Sequence, residues 1–79
     1  MSAKHSYEHG QEFPYDHYDN GRRRKVKTWA HKTARAILAD LLDRRSIKWG
    51  FNDIDQETRF EIVDSLAAII EYSKGNPDL

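Results

Sequence analysis

Residues 55–74 have the sequence DQETRFEIVDSLAAIIEYSK, and this stretch decides the fold of the chain. Its apolar residues recur at the three- and four-residue spacings of an amphipathic α-helix, and it contains neither glycine nor proline. Asp53 or Asp55 offers an N-cap, and residues 74–77 (KGNP) supply the glycine and proline that commonly end helices. The pattern therefore predicts a helix over residues 55–74.

The apolar side of this predicted helix is too broad for a single neighbouring helix. At 100° per residue its apolar positions cover nearly half of the circumference. These positions are Phe60, Ile62, Val63, Leu66, Ala67, Ile69 and Ile70. We therefore expect something more to pack there: a second copy of the chain, the aromatic N-terminal segment or a foreign partner.

A second helix is predicted over residues 25–45. Apolar and small residues recur in it at spacings of 4, 3, 4 and 4, at Val26, Ala30, Thr33, Ile37 and Leu41. Residues 46–54, which include Gly50, form the connection between the two helices. The sequence thus predicts an all-α fold, an antiparallel helical hairpin within residues 22–79.

A chain of 79 residues is near the lower limit for a self-sufficient core, so we expect the hairpin to pair into a dimeric four-helix bundle. Residues 1–21 contain three histidines, three tyrosines and four residues that interrupt regular structure (Gly10, Pro14, Asn20 and Gly21). They predict a flexible, acidic N-terminal arm, of which Phe13, Tyr15 and Tyr18 could still pin parts onto the core.

The net charge of zero conceals three unlike blocks. Residues 1–21 have a net charge of −3, residues 22–48 have +8 and residues 49–79 have −5. Such a chain either folds its charges against one another or presents one strongly signed face to a partner.

The basic block is a candidate nucleic-acid-binding stripe, because several long cations on one side of a helix can neutralise phosphates. Its members are Arg22, Arg23, Arg24, Lys25, Lys27, Lys32 and Arg35. We expect Arg24, His31, Lys32 and Arg35 to face solvent together. A solvated face, or one paired with acidic residues of the chain, is the simpler interpretation, since nucleic-acid binders are usually basic overall.

Two further sets are candidate partner-binding residues. In an extended connection Ile47, Trp49 and Phe51 could all point the same way. Trp49 and Phe51 lie beside Arg44, Arg45 and Lys48, a composition typical of interface hot spots, and we expect at least one of the two aromatic residues to plug the end of the bundle instead. The second set is an acidic arc on the second helix, opposite its apolar side. That arc consists of Glu57, Glu61, Asp64 and Glu71.

The sequence offers little for catalysis or cofactors. It contains no nucleophile elbow, phosphate-binding glycine loop or His-Glu-x-x-His motif, so we expect neither an enzyme nor a cofactor. It has no cysteine, and His5 and His9 precede Gly10 in a segment with poor helical propensity, so no metal site is predicted. The longest apolar run, Leu66–Ile70, is far too short to cross a membrane, and no signal peptide is evident. A cytoplasmic protein is expected.

Residues 41–47 (LLDRRSI), 51–55 (FNDID) and 61–70 (EIVDSLAAII) resemble short proteins encoded by phages and prophages. The resemblance implies a small non-enzymatic protein that binds and blocks a host machine, as anti-CRISPR and other anti-defence proteins do. It would act in the host cytoplasm. It assigns no role to any individual residue.

Two hypotheses for function follow. The first is a protein–protein interaction module, an inhibitor or accessory factor that binds a host complex, with the acidic arc placed in a basic channel of a nucleic-acid-handling target. In that case charge reversal of the arc abolishes activity, and neutralisation of Arg24, Lys32 and Arg35 is tolerated. The alternative is a nucleic-acid or nucleotide binder that uses the basic stripe, with affinity that falls steeply as salt rises.

Overall fold

The structure is a computed structural model that describes residues 14–26 and 28–75 of the chain. Three α-helices follow one another along it: α1 (Trp29–Leu42), α2 (Arg45–Asn52) and α3 (Gln56–Gly75). No β-strand occurs within the described residues. The predicted all-α class is therefore confirmed.

Helix α1 begins later than the sequence pattern predicts, because Thr28 caps it. Thr28 has an extended backbone, and its hydroxyl accepts a hydrogen bond from the backbone N–H of His31 at 3.2 Å. Residues 24–26 lie outside the helix, which also ends at Leu42 rather than three residues later. The helix predicted over residues 25–45 is thus shorter at both ends.

Helix α3 lies within one residue of the helix predicted over residues 55–74. Asp55, rather than Asp53, caps its first turn. The Asp55 carboxylate accepts hydrogen bonds from the Thr58 backbone N–H at 3.2 Å and from the Thr58 hydroxyl at 2.8 Å. The predicted stop at Asn76 and Pro77 lies outside the described residues.

Most of the predicted connection over residues 46–54 forms helix α2 rather than an extended segment. Arg44, which has an extended backbone, separates α1 from α2. An extended segment would point Ile47, Trp49 and Phe51 the same way, but a helix rotates residues two apart by about 200°. Phe51 therefore packs against the core, whereas Trp49 faces solvent.

The core lies between α1 and α3, which pack against each other. Among the described residues, the buried apolar side chains are Tyr15, Ala30, Ala34, Leu38, Val63 and Ala67. The Lys74 ammonium lies 4.9 Å from the centroid of the Trp29 ring, so the end of α3 is beside the start of α1. Pairing of these helices into a dimeric bundle stays a prediction.

Residues 14–26, here called the clamp segment, lie against α1 and α3. Tyr15 and Asp16 are buried, and an isolated antiparallel bridge joins His17 to Arg23. This packing differs from the loosely ordered arm predicted for residues 1–21, because burial of the Tyr15 ring and pairing of Asp16 fix the segment. Residues 1–13 of the predicted arm lie outside the described residues.

A tight turn reverses the clamp segment. The Gly21 N–H donates to the Tyr18 carbonyl, and the Tyr18 N–H donates to the Arg22 carbonyl, both at 2.8 Å. Gly21 adopts a φ of +86°, a conformation that glycine reaches at little cost because it has no Cβ. The turn thereby returns the chain across the helix pair towards α1.

Candidate interaction surfaces

A buried ion pair fixes the clamp segment to α1. Asp16 has no exposed surface, and Arg35 is only 8% exposed. Arg35 donates from Nε to Asp16 Oδ1 at 2.7 Å, and from Nη2 to Asp16 Oδ2 at 3.1 Å and to the Arg24 carbonyl at 2.6 Å. This bidentate geometry satisfies both charges away from water.

The predicted solvent-facing position of Arg35 is wrong. Arg35 follows the buried Ala34 and is rotated from it by about 100°, at the edge of the buried side of α1. The clamp segment covers that edge. The hydrogen bonds to Asp16 are what make burial of the guanidinium tolerable.

A second ion pair joins the clamp segment to α3. Arg24 Nη1 and Nη2 donate to the two carboxylate oxygens of Asp64, each at 2.9 Å, and His31 Nε2 lies 3.0 Å from Asp64 Oδ1. The pKa of Asp64 lies below its ordinary value, chiefly because Arg24 donates these hydrogen bonds; burial opposes the lowering and His31 adds to it. In turn, the hydrogen bond to Asp64 raises the pKa of Arg24.

Arg24 also contacts aromatic rings. Its guanidinium carbon lies 4.5 Å from the centroid of the Phe60 ring, and the Tyr18 ring meets Phe60 edge to face at 5.3 Å. Arg24 Nη1 is moreover 3.7 Å from Asp16, so one guanidinium touches both carboxylates of the network. Arg24 is therefore a bridging residue of the fold, not a free cation.

Arg59 of α3 holds the turn of the clamp segment from the other side. It is buried, and its Nη2 donates to the His17 carbonyl and to Asp19 Oδ1, both at 3.0 Å. The Asp19 N–H in turn donates to Gln56 Oε1 at 2.7 Å. Three arginines thus anchor the 13-residue clamp segment: Arg24 of the segment itself, Arg35 of α1 and Arg59 of α3.

A hydroxyl, an imidazole and a carboxylate follow one another at the start of α1. Thr28 Oγ1 contacts His31 Nδ1, and His31 Nε2 contacts Asp64. Nucleophilic enzymes use these groups in this order. Here, however, Thr28 caps α1 and Arg24 occupies both oxygens of Asp64. We therefore assign the three side chains to fastening α1 onto α3.

The predicted basic stripe is divided in the structure. Its exposed members among the described residues are Arg22, Arg23, Lys25 and Lys32. Lys27 lies outside the described residues. Because Arg24 and Arg35 are bound to Asp64 and Asp16, the stripe lacks two of the cations on which the nucleic-acid hypothesis relied.

The two aromatic residues of α2 have different surroundings. Trp49 is 74% exposed and lines a surface groove with Leu42, Asp43, Arg45 and Lys48. Phe51 meets the Tyr15 ring edge to face at 5.7 Å, and its carbonyl accepts a hydrogen bond from the Tyr15 hydroxyl at 2.8 Å. Phe51 therefore closes the end of the core, and most of the Trp49 side chain is open to solvent.

The predicted acidic arc is only partly a free surface. Glu57, Glu61 and Glu71 are exposed on α3. Asp64 is half-buried and both of its carboxylate oxygens accept hydrogen bonds from Arg24, so it contributes less to a free acidic surface than the three glutamates do.

Two isoleucines on the helix pair are exposed although they belong to the apolar patterns of their helices. Ile37 of α1 is 41% exposed and Ile69 of α3 is 59% exposed. The broad apolar arc of residues 55–74 was the signal that some of this surface has no neighbour within the described part of the chain.

In the part of the chain that the structure describes, no group of three or more His, Asp or Glu side chains is placed to hold a metal ion. None of the described helices is both long enough and apolar enough to span a bilayer.

No family model, no curated protein and no solved structure matches this chain.

Proposed function

We propose that this chain is a non-enzymatic protein–protein interaction module that docks on a larger complex through α2. The observation behind this proposal is the exposure of Trp49, the largest of any large apolar residue in the described ranges. An indole so exposed is costly in water and is typical of the aromatic anchors that dominate binding energy at interfaces.

The surroundings of Trp49 favour a protein partner. Arg45 and Lys48 line the same groove, and Leu42 adds apolar surface. Interfaces commonly combine an aromatic anchor with such a rim of charged side chains. Because α2 is a helix packed on α1, the indole is presented from a fixed backbone.

We further propose that the target is a nucleic-acid-handling complex of a host cell, and that the chain is a phage-type inhibitor or accessory protein. The resemblance of residues 41–47, 51–55 and 61–70 to short phage proteins supports the genre. The exposed Glu57 and Glu61, one turn apart on α3, support the target class, because paired carboxylates can occupy a channel that binds phosphates. Asp64 is withdrawn from this set, since it belongs to the network with Arg24.

The proposal includes the antiparallel hairpin of α1 and α3 and its pairing into a dimeric four-helix bundle. The contact between Lys74 and Trp29 supports an antiparallel arrangement. The small buried core, half of which is alanine, supports pairing, because so little burial leaves a chain of this length marginally stable.

The alternative function, nucleic-acid binding, rests on the exposed Arg22, Arg23, Lys25 and Lys32. It is the weaker candidate because Arg24 and Arg35 are already paired with Asp64 and Asp16. A titration with a short DNA duplex at increasing salt separates the two functions. A steep fall of log affinity with log salt would favour the alternative.

Site-specific photo-crosslinking tests the proposed function. A photoreactive amino acid replaces Trp49 in one variant and the exposed Lys32 in a control, in the cells where the chain is naturally made. We expect one protein to be labelled from position 49 and not from position 32. Equal labelling from both positions, or labelling of nucleic acid alone, would contradict the proposal.

A further inference from the structure

The helix pair has two broad sides, and the clamp segment covers one of them. Arg35 of α1 and Asp64 of α3 both turn towards the clamp segment, where they bind Asp16 and Arg24. The clamp segment leaves the opposite side open, where Leu41, Ile62 and Leu66 are partly buried against the core and Ile37 and Ile69 are 41% and 59% exposed.

The uncovered side is apolar on both helices. Ile37 is two residues from Arg35, a rotation of about 200°. Ile62 and Ile69 are two and five residues from Asp64, so both point well away from the clamp segment. With the partly buried Leu41 and Leu66 they form what we call the apolar face: Ile37, Leu41, Ile62, Leu66 and Ile69.

The spacing on α3 is that of a helix that pairs with another helix. Ile62, Leu66, Ile69 and Ser73 follow one another at intervals of 4, 3 and 4 residues, as in the apolar seam of a coiled coil. On α1, Thr33, Ile37 and Leu41 continue the face at intervals of four. A two-helix layer of this kind is completed by a second two-helix layer.

The few charges beside the apolar face indicate which partner supplies the second layer. Polar residues beside the face are mostly uncharged, such as Thr33, Ser65 and Ser73, and the nearby Asp40 is paired with Arg44 at 3.3 Å. The five residues of the apolar face carry no charge, so a strongly charged partner would find few counter-charges there. A second copy offers the same neutral apolar surface, and homodimer interfaces are depleted of charge at their centres.

We infer that the apolar face is the surface on which a second copy of this chain packs, so that four helices enclose one core. The inference deepens the proposed function, because it specifies the surface through which the proposed dimer forms. None of the residues of the apolar face lines the Trp49 groove. The dimer then presents two docking surfaces, and binding to a target with two sites gains from avidity.

Size-exclusion chromatography with light scattering tests the inference on the full chain. The wild-type protein is expected at roughly twice the 9.3 kDa chain mass. Ile69→Glu places a charge on the apolar face and is expected to halve the mass. The matched control is Ala68→Glu, at the exposed neighbouring position, which is rotated by about 100° towards solvent; it is expected to keep the dimer mass.

Folding is monitored by circular dichroism, and Ile37→Glu repeats the test from α1 should Ile69→Glu lose helix signal. A wild-type monomer at about 100 µM, a concentration that populates any dimer of micromolar affinity, overturns the inference. So does a dimer that Ile69→Glu and Ile37→Glu both leave intact.

A photoreactive residue at position 69 identifies any other occupant. Linkage to a second copy is the expected result. Linkage to residues 1–13 of the same chain, or to a foreign protein, would overturn the inference. Crosslinking from position 49 tests the contact with the target, and crosslinking from position 69 tests the dimer. The two proposals can therefore fail independently of each other.

Discussion

The Asp16 carboxylate is completely buried and receives two hydrogen bonds from the guanidinium of Arg35, nineteen residues further along the chain. This pair makes residues 14–26 part of the folded domain rather than an appendage to it. It also removes Arg35 from the basic surface, which weakens the case for nucleic-acid binding.

Loss of Asp16 is expected to destabilise the fold severely. Asp16→Asn leaves the Arg35 charge buried without a counter-charge, which costs about 3–5 kcal/mol of unfolding free energy. Urea unfolding measures this cost. The exposed Asp43→Asn is the control and should change stability by less than about 0.5 kcal/mol. The double variant Asp16→Leu with Arg35→Met should recover most of the loss, and no recovery would argue against an ion-pair origin.

Asp64 should make the protein less stable at acidic pH than at neutral pH. Its pKa is lowered in the folded state by the hydrogen bonds from Arg24, so its contribution is complete above the unfolded pKa of about 3.9 and is lost as the pH falls through the folded pKa. Wild type should therefore lose more stability than Asp64→Asn when the pH drops below about 4. Urea midpoints at neutral and acidic pH measure the difference. Asp43→Asn is the control, and a wild-type response from Asp64→Asn would refute the assignment.

Trp49 and Phe51 should respond oppositely to truncation. Trp49→Ala removes an exposed side chain and should change the unfolding free energy by less than about 0.5 kcal/mol, while abolishing capture of the target. Phe51→Ala removes the ring packed on Tyr15 and should cost about 2 kcal/mol, since the ring is half-buried. A stable Trp49→Ala variant with undiminished target binding would count against α2 as the docking helix.

Two glycines should give changes of opposite sign when replaced by alanine. Gly21 has a φ of +86°, so Gly21→Ala should cost about 1 kcal/mol through backbone strain, although nothing lies within 4 Å of the added Cβ. Gly50 lies inside α2, where alanine is the better helix former, so Gly50→Ala should stabilise by about 0.5–1 kcal/mol. Thermal unfolding of the two variants side by side checks both signs. Destabilisation of both would mean that α2 is not helical in solution.

The helices could be predicted from the sequence because their signals are local. The apolar spacing of residues 55–74 and the cap at Asp55 lie within a few residues of each other, and α3 follows them closely. The start of α1 was placed too early because the apolar spacing continues back to Val26. Thr28, with its hydroxyl on the His31 N–H, was the signal that could have corrected it.

The surface could be predicted only in part, because its charges pair over long distances in the sequence. Arg24 and Asp64 are forty residues apart, and nothing local indicates that they meet. Trp49 was among the predicted contact residues. That Trp49 faces solvent while Phe51 faces the core could not be predicted, because it depends on α2 being helical. Charge periodicity on one helix cannot show which cations the rest of the chain neutralises.

The contributions of the acidic and basic surfaces to binding can be distinguished only by substituting residues that do not stabilise the fold. Glu57→Lys combined with Glu61→Lys should strongly weaken target binding, because both side chains are exposed and face the proposed basic channel. Lys25→Ala with Lys32→Ala should leave it unchanged. Arg24 and Arg35 are unsuitable for this comparison, contrary to the expectation that they tolerate neutralisation, because each holds a carboxylate of the clamp network. Competition binding to the captured target at two salt concentrations measures the effect. If the Lys25→Ala and Lys32→Ala variant weakened binding and the Glu57→Lys and Glu61→Lys variant did not, binding would instead be assigned to the basic surface and to a nucleic-acid ligand.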